Sequence, residues 1–314
     1  MNDIKLDLIT IGECLIEFST NQKLKDAECL HKYYGGDTLV VAVAAKRLNS
    51  NVGFVSCLGN DAFKDYMLTC WQKEGLDTTH VKIVDDKNGI YLVSRAPGEH
   101  KEFIYYRKKI APAKLSIDDI NTNYIQSSKI LYASGITQSL SMAAREAVKE
   151  AFRIAKEYGV ITAYDPNYSS LISAPDEAKE YFNEILPYTD ILFMSSKYDT
   201  KTLFDIDSIE NIIKNLSDYG VKTIVIKSGE NKGYFVNSQM NTTFVPFYTD
   251  NVIDTTSSGD AFNGAFLHAI AKSYSPVEAA RIASIDAGLQ AQGIGAIKST
   301  PYHDEVYKIY TSEE

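Results

Sequence analysis

Apolar residues follow two alternating patterns along the chain. Short continuous apolar runs predict buried strands, at residues 6–11, 52–57, 130–132, 160–164, 190–194, 221–227 and 244–247. Stretches with helical spacing or helix caps predict helices, at residues 39–48, 61–74, 141–158 and 276–291. Strands that are apolar throughout are typical of parallel sheets covered on both faces by helices. We therefore predict an α/β fold with a mostly parallel central sheet flanked by helices.

One segment interrupts this alternation. Residues 89–95 and 101–107 alternate apolar and polar side chains around a Pro-Gly turn, a pattern that predicts a β-hairpin. We expect residues 1–314 to form a single α/β domain, in which segments at about 12–37 and 88–110 form a small β-sheet lid over the ligand-binding edge. Because an exposed sheet edge favours pairing with another chain, we also expect a homodimer.

The chemistry of the chain is concentrated in one loop and the helix after it. Seven small, polar or acidic residues, Asp254 to Asp260, precede an apolar stripe that runs from Ala261 to Ala269. Such a loop exposes unpaired backbone N–H groups beside the positive end of the helix dipole, and this arrangement holds phosphate. Asp260 falls in the first turn, where we expect the dipole to keep it ionised and able to take a proton from an attacking hydroxyl. An ordinary helix cap is the alternative reading of these residue types.

Composition narrows the class of partner. The 314 residues carry a net charge of −9, which argues against nucleic acid, because binding to its backbone depends on Lys and Arg. The four cysteines have no C-x-x-C spacing and the five histidines are scattered, so we expect no metal site made by protein ligands. No apolar run reaches the length of a membrane span, and the first residues show no secretion signal. We expect a cytoplasmic protein without a membrane partner.

Several motifs carry a resemblance to one enzyme family. DTTSSGDAFNGAF at 254–266 resembles the C-terminal signature of the ribokinase-like (PfkB) carbohydrate kinases. GGDTL at 35–39, YYR at 105–107 and DPNY at 165–168 are similar in particular to 2-keto-3-deoxygluconate kinases. KSGENKG at 227–233 matches the K-x-G-x-x-G nucleotide loop with one residue added. The resemblance implies a ribokinase-like fold and ATP-dependent phosphorylation of a sugar hydroxyl.

The same resemblance implies roles for individual residues. It implies an anion hole at Ser257, Ser258, Gly259 and Asp260, with Asp260 also as the catalytic base. It implies substrate contacts at Gly35, Gly36, Asp37, Tyr91, Tyr105, Arg107, Asn167 and Asp260. It implies nucleotide contacts at Lys227, Gly229, Gly233, Ser257 and Gly259. Mg²⁺ accompanies ATP in this reading, and a monovalent cation is a further candidate ligand.

Three positions depart from the family pattern. Val40 stands where Asn is usual, Ser169 where an Arg approaches ligand phosphate and carboxylate, and Tyr198 where the Glu of an N-x-x-E motif is usual. The first substrate hypothesis is 2-keto-3-deoxygluconate, phosphorylated at its 6-hydroxyl. The departures keep a related ligand as an alternative, such as fructose, another keto-deoxy acid or 5-dehydro-2-deoxygluconate. They also keep a kinase-derived binding protein with little activity as a second class of function, because a fold does not guarantee an activity.

Overall fold

The computed structural model of the protein describes residues 5–98, 101–205, 208–249 and 251–312. The strands in this part of the chain are β1 Leu6–Ile11, β2 Leu15–Thr20, β3 His31–Gly35, β4 Val52–Gly59, β5 Val81–Val84, β6 Gly89–Ser94, β7 Glu102–Tyr106, β8 Ser128–Ser134, β9 Ile161–Asp165, β10 Ile191–Ser195, β11 Thr223–Ser228, β12 Gly233–Ser238 and β13 Asn241–Pro246. The α-helices are α1 Asp37–Arg47, α2 Lys64–Glu74, α3 Thr122–Gln126, α4 Gly135–Gln138, α5 Met142–Glu157, α6 Pro175–Ile185, α7 Asp199–Phe204, α8 Ile209–Asp218, α9 Ser258–Ala271, α10 Pro276–Ala291 and α11 His303–Tyr310.

The larger of two sheets is mostly parallel, as the sequence predicts. Its nine strands lie in the order β13-β12-β11-β10-β9-β8-β1-β4-β5. The strands from β11 to β5 pair in parallel, and β12 and β13 extend one edge as antiparallel strands. The carboxyl ends of the parallel strands therefore lie along one side of the sheet, which is where open α/β sheets bind ligands.

Local signals explain where the predicted helices begin and end. The hydroxyl of Ser141 accepts a hydrogen bond from the backbone N–H of Ala144 at 3.1 Å and starts α5. Ser275 and Glu278 form a capping box around Pro276 at the start of α10. Gly75, with φ of +74°, ends α2 in the left-handed conformation that glycine tolerates. The predictions of these helices are confirmed to within a few residues.

Helix α9 packs closely on α1. This packing brings the predicted motifs at the starts of the two helices to the same side of the sheet. A Cβ on Gly264 of α9 would lie 2.4 Å from the backbone oxygen of Val41 in α1. Only glycine allows the two backbones this approach. Phe266 of α9 packs its ring 5.4 Å from that of Phe193 on β10. The first turns of α1 and α9 are thereby held at the same edge of the sheet.

The smaller sheet has four strands, in the order β3-β2-β6-β7. The predicted hairpin is confirmed as β6 and β7, which pair antiparallel, while β2 joins them through a parallel pairing with β6. All four strands fall within the two segments predicted to form a lid. Residues 99–100 of the second segment lie outside the described residues, as do 1–4, 206–207, 250 and 313–314 of the predicted domain. The single domain and the role of the small sheet as a lid stay predictions.

Some elements were not predicted from the sequence. The residues after Thr300 carry no clear pattern, yet they include α11, which buries Val306 and Tyr310. One apolar pair at helical spacing is too weak a signal to identify a helix of this length. The strand β12, next to the glycine-rich loop, was also missed, because the short connection to β13 lacks the usual Asn-Gly hairpin signal.

Candidate active site

The residues predicted to form an anion hole lie in the first turn of α9. Ser257 precedes the helix with φ of +60°, a left-handed conformation that is unfavourable for serine. In the described part of the chain, the backbone N–H groups of Ser257 and Gly259 donate to no backbone acceptor. Unpaired N–H groups at a helix N-terminus are suited to bind an anion. A strained residue beside them is typical of turns that serve a function.

This turn separates two clefts. The first cleft, of about 600 Å³, is lined by these predicted substrate and anion-hole residues: Gly36, Asp37, Tyr91, Tyr105, Arg107, Asn167, Ser257 and Asp260. The second cleft, of about 480 Å³, is lined by these predicted nucleotide and anion-hole residues: Lys227, Gly229, Gly233, Ser258 and Gly259. The structure thus groups the two predicted sets on opposite sides of one helix N-terminus. Ser257 lines the first cleft and not the second, so its predicted contact with the nucleotide stays a prediction.

The atoms around Gly35 and Gly36, the glycine pair before α1, leave little room for a side chain at either position. Gly36 has φ of +121°, and a Cβ there would lie 2.5 Å from the backbone oxygen of Glu13. A Cβ on Gly35 would lie 3.0 Å from the hydroxyl of Tyr91. Gly36 therefore brings backbone to the surface of the first cleft, whereas Gly35 supports the position of Tyr91.

Asp260 lies at the junction of the two clefts. Its Oδ1 accepts a hydrogen bond from Nδ2 of Asn167 at 3.3 Å. Enclosure by the protein raises the pKa of Asp260 well above its ordinary value; Asp37 and Asp165 raise it further, and Lys227 lowers it. The sequence led us to expect that the helix dipole would keep this carboxylate ionised. That expectation stays a prediction, and the loss of water and the neighbouring carboxylates oppose the effect of the dipole on the pKa.

A buried ion pair connects the second cleft to the centre of the sheet. Nζ of Lys227 lies 2.5 Å from Oδ2 of Asp165, and Nδ2 of Asn263 donates to the same oxygen at 2.7 Å. Burial lowers the pKa of Lys227, but Asp165 more than offsets this, so the net shift is upward and the ammonium group stays charged. A Cβ on Gly259 would lie 3.5 Å from Nζ of Lys227. A fixed positive charge therefore lies beside the anion hole.

Asp165 and Asp199 are residues of the site that sequence reasoning did not assign. Asp199 accepts backbone hydrogen bonds from Ser195 at 2.6 Å and from Tyr168 at 2.9 Å, and so connects the ends of β9 and β10. Burial raises the pKa of Asp199 to about 7, and Asp165 contributes to the rise. The available signal for Asp165 was its place directly after a predicted strand, whereas Asp199 begins α7 and carries no comparable signal.

Arg107 reaches the first cleft and is paired through one nitrogen, while its buried Nε has no hydrogen-bond partner among the described residues. Its Nη2 donates to Oε1 of Glu13, which sequence reasoning did not single out. Tyr105 covers the guanidinium, with its ring centroid 5.4 Å from the central carbon. Burial raises the pKa of Glu13 to about 7, although Arg107 lowers it. The signal for Glu13 was its place directly after β1, at the ligand-binding edge of the sheet.

A cluster of charged side chains connects the small sheet to the loop before α9. Nε of Arg95 donates to Asp254 at 2.5 Å, and Nζ of Lys101 donates to the other oxygen of the same carboxylate. Asp254 also accepts from the backbone N–H of Thr256 at 2.9 Å. Glu17 contacts Arg95 at 3.3 Å and accepts a hydrogen bond from the Tyr91 hydroxyl. The loop that leads into the anion hole is therefore bound to the small sheet.

The three departures from the family motifs lie in different surroundings. Val40 is fully buried in α1 and packs in the core, so it does not line either cleft. Ser169 and Tyr198 both line the first cleft. Tyr198 is 58% exposed. The absence of a cation at position 169 therefore changes the first cleft directly.

Among the described residues, no group of three or more His, Cys, Asp or Glu side chains is placed to hold a metal ion. A divalent ion here would need most of its ligands from a bound phosphate chain and water, as is usual for Mg²⁺. Within the same residues, the structure has no helix that is long and apolar enough to cross a membrane.

Comparison with known proteins identifies the family of the chain. The model of the pfkB family carbohydrate kinases matches residues 5–302. The chain belongs to the pfkB family of carbohydrate kinases. It is accordingly a sugar kinase, a phosphotransferase that acts on a carbohydrate, as the motifs predicted.

Individual relatives cover almost the whole chain. The chain is similar to the ATP-dependent 6-phosphofructokinase of Thermoanaerobacterium thermosaccharolyticum, at 28% identity over 98% of this chain and 95% of that protein. It is 30% identical to the 2-dehydro-3-deoxygluconokinase of Dickeya dadantii, over 93% of this chain and 96% of that protein. The structure of an E. coli protein described as ribokinase II, in complex with ATP and Mg²⁺, has a TM-score of 0.89 at 24% identity, covering 98% and 100% of the two chains. This likeness confirms the predicted ribokinase-like fold.

Proposed function

We propose that this pfkB kinase transfers the γ-phosphoryl group of ATP to a hydroxyl group of a sugar or sugar acid, with Asp260 as the general base. The observation that carries the proposal is the division of the site by the first turn of α9. Asp260 and Ser257 line the first cleft, and Ser258 and Gly259 line the second. A hydroxyl in one cleft and a phosphate in the other would therefore meet at unpaired N–H groups and a carboxylate.

The second cleft has the features that an ATP phosphate chain requires. Lys227 supplies a fixed positive charge, Gly229 has open space around it, and Gly259 brings to the wall a backbone N–H group that has no backbone acceptor among the described residues. Mg²⁺ bound to the phosphates would neutralise charge that develops during transfer. The predicted monovalent cation has no assigned position and stays a prediction.

Asp260 is suited to accept the proton of the attacking hydroxyl. A carboxylate whose pKa is raised is a stronger base than an ordinary Asp. Asn167 holds the side chain at 3.3 Å, and the N–H groups of the same turn would bind the oxygen atoms of the transferred group. The residues of this chain thus provide the base and the anion hole from one turn.

Two substrates are the first candidates. The motifs and the Dickeya dadantii relative favour 2-keto-3-deoxygluconate, phosphorylated to its 6-phosphate. Ser169 and the phosphofructokinase relative favour a fructose-like sugar as the alternative. The test is an ATP-coupled assay of the purified chain against a panel of neutral sugars and sugar acids. Lack of turnover on every member, with ATP binding intact, would favour the degenerate binding protein instead.

We also propose that the enzyme is a homodimer that pairs through the small sheet. Its outer strand β7 exposes Ile104 at 37% and Tyr106 at 62%, and an exposed apolar edge favours pairing with a second copy. Light scattering at micromolar concentration tests this, and a monomeric mass would reject it.

The four unpaired cysteines agree with the predicted cytoplasmic location, which stays a prediction.

A further inference from the structure

The loop before the anion hole is held by side chains from distant parts of the chain. Nε of Arg95 donates to one carboxylate oxygen of Asp254 at 2.5 Å, and Nζ of Lys101 donates to the other. Nζ of Lys101 also lies 3.4 Å from the hydroxyl oxygen of Thr256. The backbone oxygen of Thr256 accepts a hydrogen bond from Nε2 of Gln290 at 2.8 Å. The position of this loop therefore depends on contacts with the small sheet and with α10.

The turn that follows this loop adopts an unfavourable conformation. Ser257 has φ of +60°, and a strained residue of this kind persists only where the surrounding structure fixes it. Thr256 directly precedes it and is held by Lys101 and Gln290. In the described part of the chain, the N–H of Ser257 donates to no backbone acceptor. The contacts on the loop therefore act on the geometry of the proposed anion hole.

Lys101 differs from Arg95, the other cation at this loop. Arg95 also contacts Glu17 at 3.3 Å, whereas the ammonium group of Lys101 contacts Asp254 and Thr256. Burial raises the pKa of Asp254, but its hydrogen bonds and the charge of Arg95 more than offset this, so the net shift is downward and the carboxylate stays ionised. A lysine ammonium group is a compact point charge. Bound to a carboxylate and a hydroxyl oxygen, it has the charge and the kind of ligands that a bound K⁺ ion would have.

We propose that Lys101 is a positioning residue of the kinase, whose ammonium group does at this loop what a bound monovalent cation would do. It neutralises Asp254 and holds Thr256. The unpaired N–H groups that follow, in the first turn of α9, are thereby kept in place for the transferred phosphoryl group. The chain supplies this charge itself, so catalysis does not require K⁺ or Na⁺ at the loop. The inference rests on the proposed function and deepens its account of the anion hole.

The wild type tests the inference without any substitution. We would measure kcat with saturating ATP, Mg²⁺ and the best sugar in buffers whose monovalent cation is tetramethylammonium, Na⁺ or K⁺, at an ionic strength of about 0.1 M. Tetramethylammonium is too large to occupy the position of a lysine ammonium group. We expect the same kcat in all three buffers, because Lys101 already fills that position. Activation by Na⁺ or K⁺ would overturn the inference and leave the proposed kinase function standing. Turnover of no sugar in any buffer would overturn both.

Lys101→Met keeps the stem of the side chain and vacates only the position of the ammonium group. In tetramethylammonium buffer its kcat should fall by about 10²-fold, because a displacement of about 1 Å at the reacting groups can cost this much. KM for the sugar should change little, since Lys101 is not among the residues that line the first cleft. NH₄⁺ or K⁺ should restore part of the lost kcat, because the side chain of Lys101 is 28% exposed and its position can be reached from solvent.

Lys82→Met is the matched control. Lys82 pairs with Asp119 at 2.8 Å and lines neither cleft, so its replacement removes the same charge and should leave kcat at the wild-type value in every buffer. Wild-type kcat in Lys101→Met, or a loss of kcat that neither NH₄⁺ nor K⁺ restores, would overturn the cation-like role of Lys101. If Lys101→Met does not fold, the comparison of cations on the wild type still decides.

Discussion

The side-chain amide of Asn167 lies 3.3 Å from the carboxylate of Asp260 and donates a hydrogen bond to it. Asn167 has φ of +43°, so the backbone is held in a left-handed conformation that asparagine tolerates better than most residues. Its own backbone N–H donates to Asp165 at 3.0 Å. The end of β9 is therefore shaped to present one amide to the proposed base.

Loss of this amide should shift the pH dependence of the enzyme. A hydrogen bond to the ionised form lowers a pKa, so Asn167→Gly should raise the pKa of Asp260 and move the acid limb of kcat to higher pH. Glycine accepts the positive φ, so the backbone should not be strained. The measurement is a pH profile of kcat at saturating ATP and sugar.

Asn167→Ala is the companion variant. It removes the same amide, but the positive φ should cost about 1 kcal/mol of unfolding free energy in addition. The two variants should therefore share one pH profile and differ in urea denaturation. A wild-type acid limb in both would show that Asn167 does not act on Asp260.

Asp254 should be more important to stability than either of its cationic partners. Its carboxylate is 2% exposed and binds both Arg95 and Lys101. Asp254→Asn would remove the carboxylate shared by two cations and leave Arg95 only its longer contact with Glu17 at 3.3 Å, and removing one side of a buried ion pair costs about 3–5 kcal/mol. Urea denaturation monitored by circular dichroism measures the loss.

Lys101→Met is the control for this network. Lys101 is 28% exposed, and its removal leaves the contact between Arg95 and Asp254 in place. The variant should therefore lose clearly less unfolding free energy than Asp254→Asn. Equal losses would mean that Asp254 does not stabilise the loop through both partners.

The sequence predicted features that depend on local spacing. The buried strands, the hairpin at β6 and β7 and the turn before α9 each come from residues that are adjacent in the chain. The two clefts also follow from local motifs, because parallel strands bring their carboxyl ends to one edge of the sheet. Local patterns thus brought most of the predicted residues to the walls of the two clefts, with Gly35 and the nucleotide contact of Ser257 as exceptions, and did not fix their charge states.

Ion pairs between distant residues could not be predicted in this way. Glu13 and Arg107 are 94 residues apart in sequence, and Asp165 and Lys227 are 62 apart. Their contacts depend on the register of separate strands and on side-chain direction, which carry no periodic signal. Sequence analysis therefore identified Arg107 as a substrate contact without foreseeing that its Nη2 pairs with Glu13.

His268 should make the protein sensitive to acid. Its ring is 2% exposed and lies 2.8 Å from the Ser50 hydroxyl and 3.0 Å from the Tyr307 hydroxyl. Burial, with a contribution from Lys272, lowers the pKa of His268 from 6.5 to about 4. Because the pKa of His268 is lower in the folded than in the unfolded protein, protonation of the ring favours unfolding. The contribution of neutral His268 to the unfolding free energy is therefore fully present above pH 6.5 and is lost as pH falls toward 4.

His268→Gln should remove that part of the acid sensitivity. We expect the unfolding free energy of the wild type to fall by about 3 kcal/mol more than that of the variant between neutral pH and pH 4. Urea titrations at a series of pH values measure both curves. Parallel curves would mean that His268 keeps an ordinary pKa in the folded protein.

Asp260→Asn tests the proposed base directly. The asparagine resembles the protonated carboxyl group that burial favours, and it can still cap the first turn of α9, so the fold should be retained. ATP should bind as well as before or more tightly, because a carboxylate next to the anion hole is removed. Turnover should fall by about 10²–10⁴-fold, as is usual when acid–base catalysis is lost.

The pH profile of the wild type provides the second half of this test. Since the pKa of Asp260 is raised, the acid limb of kcat/KM should lie above the ordinary range of an Asp, and activity should decline as pH falls through that limb. Asp260→Asn should abolish the limb together with turnover, while calorimetry still shows ATP binding. Near-wild-type turnover in this variant would remove Asp260 from the mechanism. A folded, inactive variant that no longer binds ATP would instead show that Asp260 organises the nucleotide site, because the loss would then precede the chemical step.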